Sequence, residues 1–583
     1  MDIGLLILLI AAFLTRLPSV LLAGNLIDFD EATFALMAKR ILEGELSVYA
    51  SGHSYSGSLV SFLMAPWIAL IGNNPAAIRL TSLTVFLVFV AIFYLLMKKI
   101  FDRRVAVFSS VFMVFMPIGV FDISTRVWGG HSEIWPVAAL LLYLLHRFFD
   151  SPAPVARPLR HLFLIGFVAG MAVWINSLFF LFLIPSILFF ALRLGSRPGR
   201  HSRPQPTALR FLFAGIHLFI LGYVVLQFYA MIQGSLHGDP PFRMKELKKI
   251  VLLLVGEAVF LSLWNAADKK ERMLQIKYLA CTVLGCAVGN LPALVFNLLG
   301  GEGLRIFHKS GLIPFSLLAQ RLHEVFVIKI PKFILGFSET PMFTSLETGI
   351  AEWILLFLML ALMFAVAWHK RAKPGYFMLF LFIALLTVAA NVFSSLEAAR
   401  YLVPLYWTLT VCLGIFLGEM LWPRSKALAC ILAVVIAGYF LFGNVRYYQN
   451  LPKDGLSQYR AIIDGLNENQ VQGGFAPRSL SLILAYLSGE ELVFSVHPDR
   501  ARYLPYDQYA HLLKRRAHIF QMSDSAAADF RMNEPLFAKV INIIKTRQWV
   551  AYIVDEGEEP GEPPVPPYPE WRAHSGLHIY LNE

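Results

Sequence analysis

Three carboxylates crowd into the stretch Asn25-Leu-Ile-Asp28-Phe-Asp30-Glu31-Ala. Acids so placed do one of three things. Asp30 can cap a helix by accepting from its first free backbone N–H groups, with Glu31 at the positive end of the dipole. A carboxylate here can instead act as a general base, and the D-x-D pair Asp28 and Asp30 can hold a divalent metal. The placement favours a functional role. The apolar run Ile3 to Leu22 is long enough to cross a bilayer, so the acids sit at the lip of a membrane, where charge is costly and usually serves a purpose. Phe34, Met37, Ala38, Ile41 and Leu42 then recur at helical spacing, with Lys39, Arg40 and Glu43 on the other face. This predicts an amphipathic helix in the interface with the acids at its N-terminal end.

The elements that must position these acids are membrane helices. With 57% hydrophobic residues, 15% charged and a mean hydropathy of +0.61, the 583-residue chain is no soluble enzyme. Its apolar runs of helical length predict a mainly α, polytopic helical bundle rather than a barrel. About 13 spans are expected, at 3–23, 76–97, 105–121, 132–147, 161–175, 177–193, 210–231, 250–265, 277–297, 348–368, 376–393, 401–421 and 426–443. The first reads as a retained helix rather than a cleaved signal. All four cysteines lie in apolar runs, which implies neither a disulfide framework nor zinc spacing.

Alternate connections are basic: Lys98 to Arg104, Arg147 to Arg160, Arg193 to Arg210, Lys269 to Arg272, Lys370 to Lys373, and Arg424 with Lys426. The positive-inside rule makes all six cytoplasmic, leaving Arg243 to Lys249 as the exception. The net charge of +11 is therefore mostly a topology signal and does not call for nucleic acid. The acids and the C-terminal tail fall outside. The external loops are 24–75, 121–132 and 298–347, completing a transmembrane domain over 1–445. Tyr55 to Ile71 reads as re-entrant or interfacial. Phe315 to Phe337, with Arg321, His323, Glu324, Lys329 and Lys332, reads as an interfacial helix or a lid.

From 446 to 583 the composition is that of a soluble extracytoplasmic α/β domain. Helical runs are expected at Gln458–Leu466, Ser479–Leu487 and Leu536–Thr546. Strands are expected at Leu492–Val496, His518–Met522, Val550–Val554 and His578–Leu581. Glu556 to Tyr568 is an acidic, proline-rich loop. No phosphate loop, nucleophile elbow or metal spacing is present in this domain. It supports the external loops or recognises an acceptor.

A first span followed by a loop with Asp-Glu opening an amphipathic helix resembles the GT-C class of membrane glycosyltransferases. In style it is similar to the dolichyl-phosphate-mannose protein mannosyltransferases and the bacterial aminoarabinose transferase of lipid A. Asp28-Phe-Asp30-Glu31-Ala, Tyr55-Ser-Gly57-Ser-Leu, Gly129-Gly-His131-Ser-Glu133 and Arg400-Tyr401-Leu-Val-Pro404 resemble a bacterial subgroup of uncharacterised members. Leu487-Ser-Gly489 and Arg502-Tyr503-Leu-Pro-Tyr506-Asp507 fit the C-terminal domain of that subgroup. The resemblance covers most of the chain, and the order of the short motifs carries it. It implies transfer of a sugar from a polyprenyl-phosphate carrier to an acceptor hydroxyl at the outer membrane face, with inversion. Asp30 matches the general base, with Glu31 beside it. The acceptor is a glycan, lipid or protein. One departure is that a Lys-Pro-Pro-Leu-Tyr segment of the aminoarabinose transferases is replaced by Tyr55-Ser-Gly-Ser, so another group must hold the phosphate.

Candidates for that grip are Arg126, Arg400 with Tyr401, and Arg16. Arginine binds phosphate bidentately, while the structural alternatives are interfacial anchoring and snorkelling. For Arg16, inside the first span, a buried carbonyl or carboxylate partner is the alternative. His131 and Glu133, beside a flexible Gly129-Gly130, would bind sugar hydroxyls or a metal, unless Ser132 simply starts a helix there. His53 and Tyr55 are further substrate or metal ligands, with loop packing as the alternative. Asp28, Asp30 and Glu133 are the metal candidates; no cofactor is otherwise indicated. Glu257, alone in a span, is assigned no role. The competing functions are a transporter or flippase of lipid-linked saccharides, a polymerase or ligase of the same substrates, and a receptor or scaffold. A transporter should carry ionisable groups at midspan, whereas here they gather in external loops.

Overall fold

The computed structural model describes residues 2–25, 27–51, 53–149, 157–195, 269–298, 315–334, 350–371, 375–393, 398–451, 455–496, 503–523, 525–532, 534–557 and 568. Helix α1 (Ile3–Leu21) starts on Asp2, whose side chain accepts from Gly4 N at 3.0 Å. The same carboxylate takes Lys98 Nζ at 2.7 Å and Arg103 at 3.3 Å. Helix α2 (Phe29–Leu42) and helix α3 (Leu59–Ile71) flank the short antiparallel pair β1 (Tyr49–Ala50) and β2 (His53–Gly57). Helix α4 (Pro75–Ile100) then runs the length of the bundle.

The expected single span at 105–121 is two helices, α5 (Arg103–Val114) and α6 (Ile118–Thr125), bent by 80°. Pro117 causes the break, because the residue before a proline is driven out of the helical region. Helix α7 (Ile134–Phe149) follows, then α8 (Pro158–Ile175) and α9 (Phe180–Gly195), which part at Asn176. Helix α10 (Lys269–Gly289) lies against α8 with their backbones in contact. A Cβ on Gly166 or Gly170 would fall 2.0–2.1 Å from a carbonyl of α10, and one on Gly285 or Gly289 equally close to α8. Small residues of this kind let membrane helices approach. Among the described residues five helices are long and apolar enough to cross a membrane, and the bent pair makes a sixth. The count of thirteen is thus not reproduced: other apolar helices are shorter, and 210–231 and 250–265 lie outside the described residues. So do Arg243–Lys249, Glu257 and His578–Leu581.

The centre of the bundle is aromatic. Trp407, on α15 (Val403–Ile415), is fully buried and meets Phe89, Phe93 and Phe182 at ring distances of 4.9–5.5 Å. Helices α1 and Lys426–Gln449 instead turn Ile7, Leu14, Val434 and Phe442 outward, as a lipid-facing surface requires. The segment read as an interfacial helix or lid divides in two over the described residues 315–334, its first part carrying exposed Leu317 and Leu322. Its Glu324–Ile334 part is a π-helix whose Val325, Ile330 and Phe333 belong to the central core. Lys329 and Lys332 are buried with it.

The C-terminal domain is a mixed five-stranded sheet with strand order β4-β3-β5-β7-β6. Strands β3 (Gly473–Ala476), β4 (Val493–Val496) and β5 (Arg515–Gln521) are parallel neighbours. Strands β7 (Trp549–Asp555) and β6 (Val540–Lys545) add antiparallel. Helices at Ser457–Glu468 and Arg478–Leu487 match expectation. The helix expected over Leu536–Thr546 does not form. Only Glu534–Phe537 is helical, and Val540–Lys545 is an edge strand. Its β-branched Val540, Ile541, Ile543 and Ile544 suit a pleated surface, and pairing with β7 overrides the helical spacing.

Candidate functional site

The acid stretch is ordered by its own helix start. Asp28, extended at φ −112°, is the cap: it accepts from Glu31 N at 2.9 Å, while Glu31 Oε2 accepts from Asp28 N at 3.1 Å. This reciprocal capping box corrects the assignment of the cap to Asp30. Asp30 sits in the first turn of α2 and is half-buried.

Glu31 is fully buried and bound by both guanidinium nitrogens of Arg79, from α4, one of them through Oε2 at 3.1 Å. Arg79 also donates to Thr125 O at 3.0 Å, tying α2 to the end of α6. Burial pushes the Glu31 carboxyl up to about 7, against the opposing pull of Arg79. Arg126 is similarly committed. It donates to Asp122 at 2.7 Å and Asp28 at 3.2 Å, and lies 3.9 Å from Glu31. Tyr447 also binds Asp122, and Trp128 Nε1 donates to Asp28. Gripping a phosphate with Arg126 would take from the buried Asp122 its ion-pair partner, which is strongly unfavourable. Arg16 is engaged elsewhere as well. Fully buried, it donates to Val114 O at 2.7 Å, capping the broken end of α5, and lies 3.7 Å from the centre of Phe86. The same rearrangement argues against a metal on the D-x-D pair: Asp28 is occupied by Glu31 N–H, Arg126 and Trp128. Among the described residues no group of three His, Cys, Asp or Glu could hold a metal ion.

Trp128 leads to a second group. The guanidinium of Arg400 lies 5.6 Å from its ring. Arg400 and Tyr401 belong to a short 3-10 turn (Ala399–Leu402) opening α15. With His131 they line a cleft otherwise walled by apolar groups such as Leu178, Phe182 and Pro404. His131 packs on Tyr401 at 5.6 Å. Arg400 Nε and Nη1 are buried and have no hydrogen-bond partner among the described residues. A cation so placed is built to receive an anion.

The loop that carries His131 is tight rather than flexible. Gly129 and Gly130 have φ of +68° and +90°. Gly129 O accepts from Ser56 Oγ at 2.8 Å and Asn176 Nδ2 at 2.7 Å. Glu133 ends this loop, 4% exposed, and neither oxygen has a hydrogen-bond partner among the described residues. Burial pushes its carboxyl up to about 7, although nearby backbone N–H groups act the other way. His53 and Tyr55 fall in β2, and their side chains lie outside the described residues.

Sequence reasoning missed Arg79, Asp122, Trp128 and Asn176. For Arg79 a signal existed, since an arginine at the head of a long apolar run demands a partner. Asn176 separates two apolar runs and holds the Gly129 turn. Asp122 and Trp128 carry no local signal.

Residues 57–220 match the model of the dolichyl-phosphate-mannose-protein mannosyltransferase family. The match includes Arg79, Arg126, His131, Glu133 and Asn176, while Asp30 and Arg400 fall outside it. Among curated proteins none matches the chain by sequence. Among solved structures, the fold is similar to that of ArnT from Cupriavidus metallidurans bound to undecaprenyl phosphate. The TM-score is 0.56 at 12% identity, over 95% of this chain and 98% of that one. For ArnT in the apo state the TM-score is 0.52 at 12% identity, over 95% and 99%. The chain thus carries this family's sequence pattern over residues 57–220 and a fold similar to that of ArnT along nearly its whole length.

Proposed function

We propose that the protein transfers a sugar from a polyprenyl-phosphate carrier to an acceptor hydroxyl at the outer face of the membrane, with inversion at the anomeric carbon. The observation that carries this reading is Arg400: a guanidinium edge whose buried Nε and Nη1 have no hydrogen-bond partner among the described residues, in an apolar cleft, one tryptophan away from the acid helix. A lipid phosphate needs both a cation and apolar walls. The ArnT structure with undecaprenyl phosphate supports that donor class. The outer location rests on the arginine- and lysine-rich ends at Lys98, Arg103 and Lys370, gathered at the opposite end of the bundle.

In the proposed step the acceptor O–H gives its proton to Asp30 as its oxygen bonds to the anomeric carbon. The bond from that carbon to the phosphate oxygen breaks, and its electron pair leaves with the phosphate. Arg400 holds the charge that develops there, so no general acid is required. Tyr401 walls the phosphate site, and His131 and Glu133 bind sugar hydroxyls. Glu31, Arg79, Asp28 and Arg126 form the buried frame that fixes the start of α2. No step is routed through a metal.

The test supplies purified protein in nanodiscs with a panel of polyprenyl-phosphate sugars and measures released polyprenyl phosphate. Asp30→Asn should lower kcat by about 10²–10⁴, the usual worth of a general base, with donor KM little changed. Arg400→Ala should raise donor KM. No release from any donor refutes the substrate class, and wild-type turnover by Asp30→Asn excludes that residue as the base.

A further inference from the structure

The C-terminal domain grips the acid-bearing helix along its length. Glu490, 1% exposed, follows helix Arg478–Leu487 in a turn where Gly489 and Glu490 both take positive φ, +67° and +69°. A side chain in that region is strained and persists only where its surroundings over-determine it. Its neighbours supply that constraint. Arg40 donates to Glu490 Oε1 through Nε at 3.2 Å and Nη2 at 2.9 Å. Lys39 donates to Oε2 at 3.0 Å and to Gly489 O at 2.8 Å. Tyr506 OH adds a bond of 2.6 Å, and Arg40 lies flat on Tyr503 at 3.5 Å. Burial would raise the Glu490 carboxyl, yet Arg40 and Lys39 hold it at about 2. This cluster seizes the C-terminal half of α2.

The same stretch reaches the other end of that helix. Tyr486 is fully buried in one apolar cluster with Phe34 and Ala35 of α2. Glu31's charge, together with burial, raises the Tyr486 hydroxyl. Tyr486, Gly489 and Glu490 of this domain thus meet α2 from Phe34 to Arg40.

We propose that the α/β domain is a positioning element for the acceptor step: Glu490 is a positioning residue that sets Asp30 against the acceptor by docking α2. This rests on the function proposed above. The polar face expected on α2 is then a docking surface, not a solvated one. The donor site, on α15 and the Gly129 loop, is built from other elements and should not depend on Glu490.

The experiment uses the full-length protein in nanodiscs with whichever polyprenyl-phosphate sugar the wild type turns over. Glu490→Gln leaves the buried Arg40 and the partly exposed Lys39 facing a neutral group. It should lower kcat on the order of 10²-fold, as expected for a misplaced catalytic group, with donor KM unchanged. Amide hydrogen exchange should rise in the peptide spanning 28–42. The charge-exchanged variant Arg40→Glu with Glu490→Arg keeps the charge count and should recover part of kcat. If Glu490→Gln is not monodisperse, Tyr503→Leu, which removes the ring under Arg40 together with the hydroxyl's bonds to Glu45, is read by the same criteria. A folded variant with wild-type kcat and unchanged exchange overturns the proposal, and so does a parallel loss of donor binding. Absence of turnover in the wild type would instead refute the underlying function.

Discussion

Replacing Glu133 by glutamine removes a carboxyl that folding buries without a counter-ion. In the unfolded chain this group ionises near 4.5, and in the fold near 7. Below about pH 4.5 both states hold the proton and burial has no ionic cost. Between 4.5 and 7 the unfolded chain gives up its proton while the folded one keeps it, so stability falls as pH rises. At about 1.4 kcal/mol for each tenfold difference in proton affinity, the loss is complete just above pH 7 at about 3 kcal/mol. Glu31, raised to about 7 by burial against Arg79's pull, changes stability in the same direction. Glu133→Gln should therefore remove about half of the combined pH dependence and leave the Glu31 part. The assay is thermal unfolding of the protein in nanodiscs from pH 4.5 to 8.5. The wild-type midpoint should fall as pH rises, and the variant should melt higher than the wild type above pH 7. Identical pH profiles would refute the reasoning, because Glu133 would then be ionised and stabilised in the fold.

Two further substitutions test the frame around the site. Arg79→Met strands the Glu31 carboxylate. Breaking a buried pair costs about 3–5 kcal/mol, lessened here because Glu31 can take up a proton. Melting temperature should drop, and adding Glu31→Gln should restore part of it. Gly129→Ala places a Cβ 2.8 Å from Phe34 at φ +68°. The backbone alone costs about 1–2 kcal/mol, so size-exclusion profiles should show less folded protein, while Ser132→Ala at the same loop should not.

What the chain determines locally was readable without a structure. Apolar runs of bilayer length and the alternation of basic loops are properties of composition, and they specify a helical membrane bundle with a soluble tail. Acids ahead of an amphipathic run likewise announce a helix start at a membrane lip. Partnership was not readable. Which acid caps α2, and that Arg126 and Arg16 serve structural groups while Nε and Nη1 of Arg400 have no hydrogen-bond partner among the described residues, depends on contacts between distant segments. Glu31 meets Arg79 across 48 positions and Arg40 meets Glu490 across 450, separations at which no periodicity carries information. A buried charge takes whichever partner packing brings within reach, because low dielectric makes an unpaired one costly. Local sequence therefore chose the elements, and long-range packing alone decided which charges were neutralised and which kept nitrogens without a hydrogen-bond partner among the described residues.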